Sequence, residues 1–224
     1  MIEVKRGRNR NNRIRTRNME LKKVEEFKYL GSWFNNNNNV QQDVKERIFA
    51  GSKTYYSLKG ILGSKDISRS TKLRAYNAII CPVVLYASEC WSTTQREREK
   101  LRVFERKIMR KIFGPVKEGD VFRRRKNDEI REIMNQPDIV QKMKGRKMRW
   151  AGHVVRMNED RAPRKVMENV PAGKRPLGRP RTRWRDEITK VTRELGEEEE
   201  WSNIAQNRDR WRQLVKAAHD LQGP

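Results

Sequence analysis

The sequence predicts a mainly α-helical fold that begins with one short β-hairpin. From Val40 onward, apolar residues recur every three or four positions, which is the spacing of an amphipathic helix. Gly and Pro interrupt this spacing and divide it into separate helices. Before Val40, aromatic residues concentrate in residues 27–34, a composition typical of a strand. The five Asn at 35–39 are unsuited to a core and predict a loop between the two patterns.

Changes in composition divide the predicted fold into four segments. Residues 1–18 are rich in basic side chains and predict a solvated, flexible arm, and residues 19–34 predict the hairpin, with 27–34 as its second strand. Residues 35–115 predict a compact unit of three helices. Residues 116–224 predict a basic helical region, in which Pro and Gly concentrate at 160–181 and favour an extended loop.

The bounds of the three helices follow from residues that start or stop a helix. The first helix is expected to stop at Gly63. The second begins near Ser68, and Pro82 should kink it or end its first half. The third runs from about Thr94 and ends where Gly114 is followed by Pro. Its apolar stripe lies opposite a face that carries eight basic residues.

The charge of the chain favours a polyanionic partner. The 224 residues include 53 Lys and Arg against 29 Asp and Glu, a formal net charge of +24, while the residues AVILMFWYC make up only 35%. A polyanion would relieve the self-repulsion of this charge, and nucleic acid is the leading candidate. No apolar run is long enough to span a membrane, and the N-terminus lacks the apolar core of a signal peptide. We therefore expect an intracellular protein, nuclear or cytoplasmic with the nucleus favoured, that contacts no membrane.

The residues of the chain give little indication of catalysis or metal binding. Cys81 and Cys90 are too few for a disulfide framework, and their spacing from His153 and His219 matches no compact zinc finger. The sequence has no Asp-Asp pair or carboxylate cluster suited to two-metal phosphoryl transfer, and no Gly-rich phosphate loop. We expect no metal site, no cofactor in this chain and no enzymatic activity of the chain on its own.

The densest positive charge lies at residues 142–185, with fifteen Lys and Arg against three acids. Arg side chains can bind phosphates with two parallel hydrogen bonds. Trp150 and Trp184 are candidate stacking platforms for bases, although their helical spacing favours core positions. Residues 173–181 contain the Gly-Arg-Pro core of a minor-groove hook, and a positively charged structural loop is an equally good interpretation. The candidate phosphate contacts are Arg146, Lys147, Arg149, Arg156, Lys174, Arg175, Arg179, Arg181 and Arg183.

The order of several motifs resembles the C-terminal part of the reverse transcriptases of non-LTR, LINE-like retrotransposons. VEEFKYLGS at 24–32 resembles the strand after the polymerase palm, and MRWAGHVVRM at 148–157 and GKRPLGRPRTRW at 173–184 resemble the C-terminal tail. Further matches to the helical segment and the tail are Arg47, Ile48, Leu58, Lys72, Leu73, Tyr76, Leu85, Tyr86, Glu89, Cys90, Trp91, Arg110, Lys111, Ile112, Asp186, Trp201, Ala205 and DRWR at 209–212.

The resemblance implies a role for each segment. The primer grip would be formed by Phe27, Lys28, Tyr29, Leu30 and Gly31, and residues 35–115 would be the thumb that holds the template–primer duplex. The basic tail would bind the RNA of the element or its DNA target. The catalytic aspartates of the family lie upstream of the grip and have no counterpart here, so Mg²⁺ would enter only with the missing palm domain, which is itself an implied partner.

These observations together predict a nucleic-acid-binding protein, the non-catalytic part of a retrotransposon reverse transcriptase that holds template–primer or target DNA during target-primed reverse transcription. RNA, an RNA–DNA hybrid or duplex DNA could be the ligand. Two alternatives remain open on the sequence. One is a domesticated, chromatin-associated DNA-binding protein that uses 173–185 as a hook for A·T-rich DNA, and the other is a pseudogene fragment without selected function.

Overall fold

The computed structural model describes residues 13–15, 20–22, 24–37, 39–169 and 182–220. These residues form a mainly helical structure with a short antiparallel β-hairpin near the N-terminus followed by helices, which confirms the predicted fold class. The described residues contain three antiparallel strand pairs. Near the N-terminus, β1 (Arg13–Arg15) pairs with β2 (Glu20–Lys22), and β3 (Glu26–Tyr29) pairs with β4 (Ser32–Asn35). Later in the chain, β5 (Val116–Glu118) pairs with β6 (Val121–Arg123).

The N-terminal hairpins differ in detail from the sequence prediction. Residues 27–34 are not one strand, because the chain turns back on itself at Leu30 and Gly31. Both residues have positive φ, 47° and 86°, as a tight two-residue hairpin turn requires. In addition, β1 lies within the segment predicted as a flexible arm.

The helices of the first half follow the predicted order, except that the first predicted helix is divided in two at Leu58, where the backbone leaves α-helical geometry (φ −95°, ψ 5°). They are α1 (Gln41–Ser57), α2 (Lys59–Gly63), α3 (Arg69–Ala75), a π-helical turn (Tyr76–Ile80), α4 (Cys81–Val84), a 3₁₀ turn (Ser88–Cys90) and α5 (Gln95–Phe113). The Ser68 hydroxyl accepts from the Thr71 N–H at the start of α3, and Thr94 caps α5. The π-helical turn is followed by α4, in which Pro82 is the second residue, so the predicted second helix departs from regular α-helical geometry just before Pro82 but continues through it.

The second half contains α6 (Asn127–Met134), α7 (Ile139–Val155), α8 (Ala162–Glu168), α9 (Trp184–Glu194), α10 (Trp201–Ile204) and α11 (Arg208–Asp220). The helix α8 corrects the predicted loop at 160–181, since the first part of that segment is helical. Pro163 lies in the first turn of α8, where a helix needs no N–H donor. The last helical segment of the chain is divided between α10 and α11.

Two clusters of buried apolar side chains hold the helices together, and α7 contributes to both. Ile139, Val140 and Met143 belong to the first cluster, with residues from α1 to α6. Met148, Ala151 and Val155 belong to the second cluster, with residues of α9, α10 and α11. The first core therefore continues past residue 115 into α6 and α7.

Glycine allows α7 and α11 to pack closely. A Cβ atom at Gly152 would lie 2.2 Å from Nε1 of Trp211, and one at Gly145 would lie 2.3 Å from Nε2 of His219. The Trp211 indole donates a hydrogen bond of 2.9 Å to the Met148 carbonyl oxygen. These contacts fix α11 against α7.

Candidate nucleic-acid interface

The β3–β4 hairpin, which contains the candidate primer-grip residues, is held against the helices by its backbone. Asp43 of α1 is buried; one of its carboxylate oxygens accepts from the Trp33 N–H at 3.2 Å and the other from the Trp91 indole at 2.7 Å. At the turn, the Tyr86 hydroxyl donates to the Leu30 carbonyl oxygen at 2.9 Å, and Arg47 donates to that of Gly31 at 2.5 Å. The hairpin is therefore fixed at both its turn and its second strand.

The side chains of this hairpin form an exposed aromatic surface. Phe27 stacks on Phe34 across the hairpin with ring centres 5.3 Å apart, and Tyr29, two residues along the same strand, shares the face of Phe27. All three rings are exposed, as is Leu30 at the tip. Lys28 lies on the opposite face, with its ammonium 6.0 Å from the centre of the Trp33 ring. The candidate primer-grip residues thus lie along β3 and its turn, with Lys28 on the face opposite the exposed rings.

Lys147, one of the predicted phosphate contacts, is buried instead. Its ammonium forms an ion pair with Glu187 of α9, which also lies 3.3 Å from an Arg98 nitrogen. Burial lowers the pKa of Lys147, and the negative charge of Glu187 opposes that shift. Lys147 therefore does not present its charge to an external phosphate, because that charge is turned inward and already paired with Glu187.

The other predicted arginines fall into two groups. The side chains of Arg146 and Arg156 donate hydrogen bonds to the carbonyl oxygens of Leu85 and Ala205, respectively, and are partly buried. Arg149 and Arg183 are exposed on α7 and just before α9. Arg149 contacts His219 Nε2 at 3.2 Å. The remaining candidates, Lys174, Arg175, Arg179 and Arg181, lie outside the described residues.

The two candidate stacking tryptophans have different surroundings. Trp184 packs against the second core, and its indole donates to the Glu89 carbonyl oxygen at 2.7 Å, so its ring connects α9 to the 3₁₀ turn. Trp150 is only partly buried and belongs to neither core cluster, which contradicts the core position that its spacing favoured. Its ring lies 5.5 Å from that of His153. The buried face of α7 passes beside Trp150, through Met148, Ala151 and Val155.

A further basic surface, which was not among the predicted contacts, follows α5. Arg96, Lys100, Lys107 and Lys111 share one side of this helix because they are spaced by about one or two turns, and we call them the basic face of α5. The face extends over about 22 Å at 1.5 Å per residue. Within the part of the chain that the structure describes, no carboxylate forms an ion pair with any of the four. The basic residues opposite the apolar stripe were the sequence signal for this surface.

Among the described residues, no three His, Cys, Asp or Glu side chains come together as a group that could hold a metal ion. None of the described helices combines the length and apolar character needed to cross a membrane.

Comparison with known proteins connects the chain to transposons. It is similar to a Caenorhabditis elegans protein that is described as transposon-derived and uncharacterised, with 29% identity over 208 residues. The similarity covers 88% of this chain and 72% of the nematode protein, and it indicates an origin related to transposable elements. No family model and no solved structure matches the chain.

Proposed function

We propose that the protein binds the sugar–phosphate backbone of nucleic acid as the non-catalytic C-terminal part of a LINE-like retrotransposon reverse transcriptase. The basic face of α5 carries this proposal. Because these four cations have no carboxylate partner among the described residues, their positive charge is left to interact with an external anion. The phosphate groups along a nucleic-acid strand present a row of negative charge that matches it. The net charge of +24 and the similarity to a transposon-derived protein support the same conclusion.

The chain would hold the nucleic acid while a separate palm domain performs the chemistry. The basic face of α5 would bind the phosphates of a template–primer duplex, with the exposed hairpin tip at Tyr29 and Leu30 as the primer grip. Arg149 and Arg183 would extend the contact along the C-terminal region. The palm would supply the aspartates and Mg²⁺ for target-primed reverse transcription.

Binding measured at several salt concentrations tests this proposal. Fluorescence anisotropy is recorded on a random DNA duplex and on an RNA–DNA hybrid, for the parent and for a variant with the four cations of the basic face of α5 replaced by Ala. Each phosphate contact contributes about −0.9 to the slope of log K against log salt on duplex DNA, so the variant should flatten that slope by about 3 to 4 units. Affinity should fall similarly for unrelated sequences, because phosphate contacts do not read bases.

The matched control removes the same charge from cations that already have partners. Arg131, Lys190, Arg210 and Arg212 each form a surface ion pair with a nearby carboxylate. Replacing these four by Ala lowers the net charge equally but should leave most of the salt slope intact. Equal slopes for the two variants would reject the basic face of α5 as the binding surface, and a parent that binds neither ligand would reject the proposed function.

A further inference from the structure

The β5–β6 hairpin follows α5 directly and exposes two large apolar side chains. Val121 is 68% exposed and Phe122 is 67% exposed. The strand register pairs Phe122 with Lys117 and Val121 with Glu118, and neighbouring residues of a strand point to opposite faces. One face of the hairpin therefore presents an aromatic ring beside a lysine, and the other presents a valine beside a glutamate.

Polar contacts anchor this hairpin at its base. Arg123 donates to both carboxylate oxygens of Glu129 in α6, at 2.6 and 3.0 Å, and to Glu118 across the hairpin at 2.7 Å. These hydrogen bonds from Arg123 lower the pKa of Glu129 to about 2, so the pair stays charged over the physiological range. Arg125 donates to the Gly114 carbonyl oxygen at 3.0 Å. Phe122 is thus presented on a short, well-anchored element.

Several cationic side chains lie near the end of α5 from which the hairpin projects, while the hairpin itself carries Glu118 and Asp120. Arg110 donates to the Arg125 carbonyl oxygen at 3.2 Å, which brings its guanidinium to the base of the hairpin. Burial and then the nearby charges of Arg124 and Arg106 lower the pKa of Arg110. Arg124 and Lys117 are exposed, and neither forms an ion pair within the described residues. Lys111, the last residue of the basic face of α5, follows Arg110 in the sequence.

We propose that Phe122 is a stacking platform for an unpaired base of a nucleic acid whose adjoining duplex lies along the basic face of α5. This inference rests on the proposed function. An exposed aromatic ring among cations suits a nucleotide, because the base offers a π face and the phosphates on either side offer negative charge. The charges of Lys117 and Arg124 would hold those phosphates.

A protein partner fits this surface less well. Val121 and Phe122 lie on opposite faces, so they do not form one continuous apolar patch of the kind that marks a protein interface. The cations near Phe122 would also have to lose water against such a partner. A nucleic acid neutralises them and needs only the ring itself.

The test compares a blunt duplex with a duplex of the same sequence that carries a short overhang, in which the first unpaired base is 2-aminopurine. The parent should bind the overhang duplex more tightly and quench the 2-aminopurine fluorescence. Phe122→Ala should weaken binding to the overhang duplex by about 5- to 150-fold, the usual range for one stacked base, and abolish the quenching. Binding to the blunt duplex should change by less than about twofold, because no stacked base is lost there.

Two further variants and a control separate stacking from other effects. Val121→Ala removes an equally exposed side chain from the opposite face and should bind like the parent. Phe122→Trp should preserve both quenching and affinity, whereas Phe122→Leu should resemble Phe122→Ala. Since Phe122 is exposed, all three variants at this position should melt like the parent.

Several results would overturn the inference while leaving the proposed function standing. One is a Phe122→Ala variant that binds the overhang duplex as the parent does, and another is full binding by Phe122→Leu, which would indicate a nonaromatic apolar contact. A third is concentration-dependent self-association of the parent that Phe122→Ala removes, as measured by sedimentation. Failure of the parent to bind either duplex would instead reject the proposed function.

Discussion

The buried ion pair between Lys147 and Glu187 offers a sharp test of the structure. The two side chains are only 4% and 8% exposed, respectively. Lys147→Met keeps a long apolar side chain but leaves the carboxylate of Glu187 with Arg98 as its remaining cation, at 3.3 Å. Breaking a buried pair on one side typically costs about 3 to 5 kcal/mol, and because Arg98 remains we expect about 3 kcal/mol here.

A double-mutant cycle isolates the pair itself. Lys147→Met combined with Glu187→Leu removes both charges and replaces them with apolar groups, which is often neutral or stabilising in a protein interior. The double variant should therefore recover most of the lost stability, with a coupling energy of about 2 to 3 kcal/mol. Urea unfolding followed by tryptophan fluorescence measures the free energy of unfolding of each variant. Two of the six Trp, Trp201 and Trp211, are buried in the second core cluster, to which α7 and α9 also contribute.

The control and the binding assay decide between a structural lysine and a phosphate contact. Lys190 forms an exposed pair with Glu194 on the same helix as Glu187, so Lys190→Met should cost less than about 1 kcal/mol. Folded Lys147→Met should bind duplex DNA with the salt slope of the parent. A Lys147→Met variant that is as stable as Lys190→Met, or that flattens the salt slope while folded, would refute a structural role for Lys147.

Three further predictions follow from other parts of the molecule. Burial raises the pKa of Glu105 to about 7, so the folded state binds more protons than the unfolded state between about pH 4.5 and 7. The free energy of unfolding should therefore fall by about 3 kcal/mol as the pH rises through that window. Urea midpoints measured across the window should show this fall for the parent and not for Glu105→Gln. Gly152→Ala forces a Cβ to 2.2 Å from the buried Trp211 indole and should lower the melting temperature. In the control Gly60→Ala, nothing lies within 4 Å of the new Cβ, so the change should be neutral or stabilising by up to about 1 kcal/mol. The purified chain should extend no primer on an RNA template with Mg²⁺, because the sequence holds no carboxylate cluster for two metal ions; extension above a heat-inactivated control would contradict this.

Local signals allowed the helices to be predicted, whereas contacts between distant residues did not follow from the sequence. The helix α5 begins after Thr94 and ends before Gly114 as expected, because Thr favours the N-cap position and Gly readily adopts the positive φ found at the end of a helix. The turn at Leu30 and Gly31 lacks the Asn-Gly or Asp-Gly pair that usually announces a tight hairpin. The aromatic composition of residues 27–34 therefore predicted one strand, where the structure has two strands joined by this turn.

The candidate site shows the same division. Positive charge at residues 142–185 was evident from the sequence, but the burial of Lys147 depends on Glu187, forty residues away. The basic face of α5 was visible as charges opposite an apolar stripe, yet its lack of carboxylate partners among the described residues is a property of the folded chain. Likewise, the anchoring of the β5–β6 hairpin depends on Arg123 reaching a different helix.

The sharing of α7 between two cores has a consequence for how the protein unfolds. Its first half is packed with α5 and α6 and its second half with α9 and α11, so neither core can open without exposing apolar side chains of the same helix. Two clusters joined in this way should melt as one cooperative unit rather than as separate domains. The central amides of α7 should then exchange with solvent only when the whole molecule unfolds, at the slowest rate in the protein.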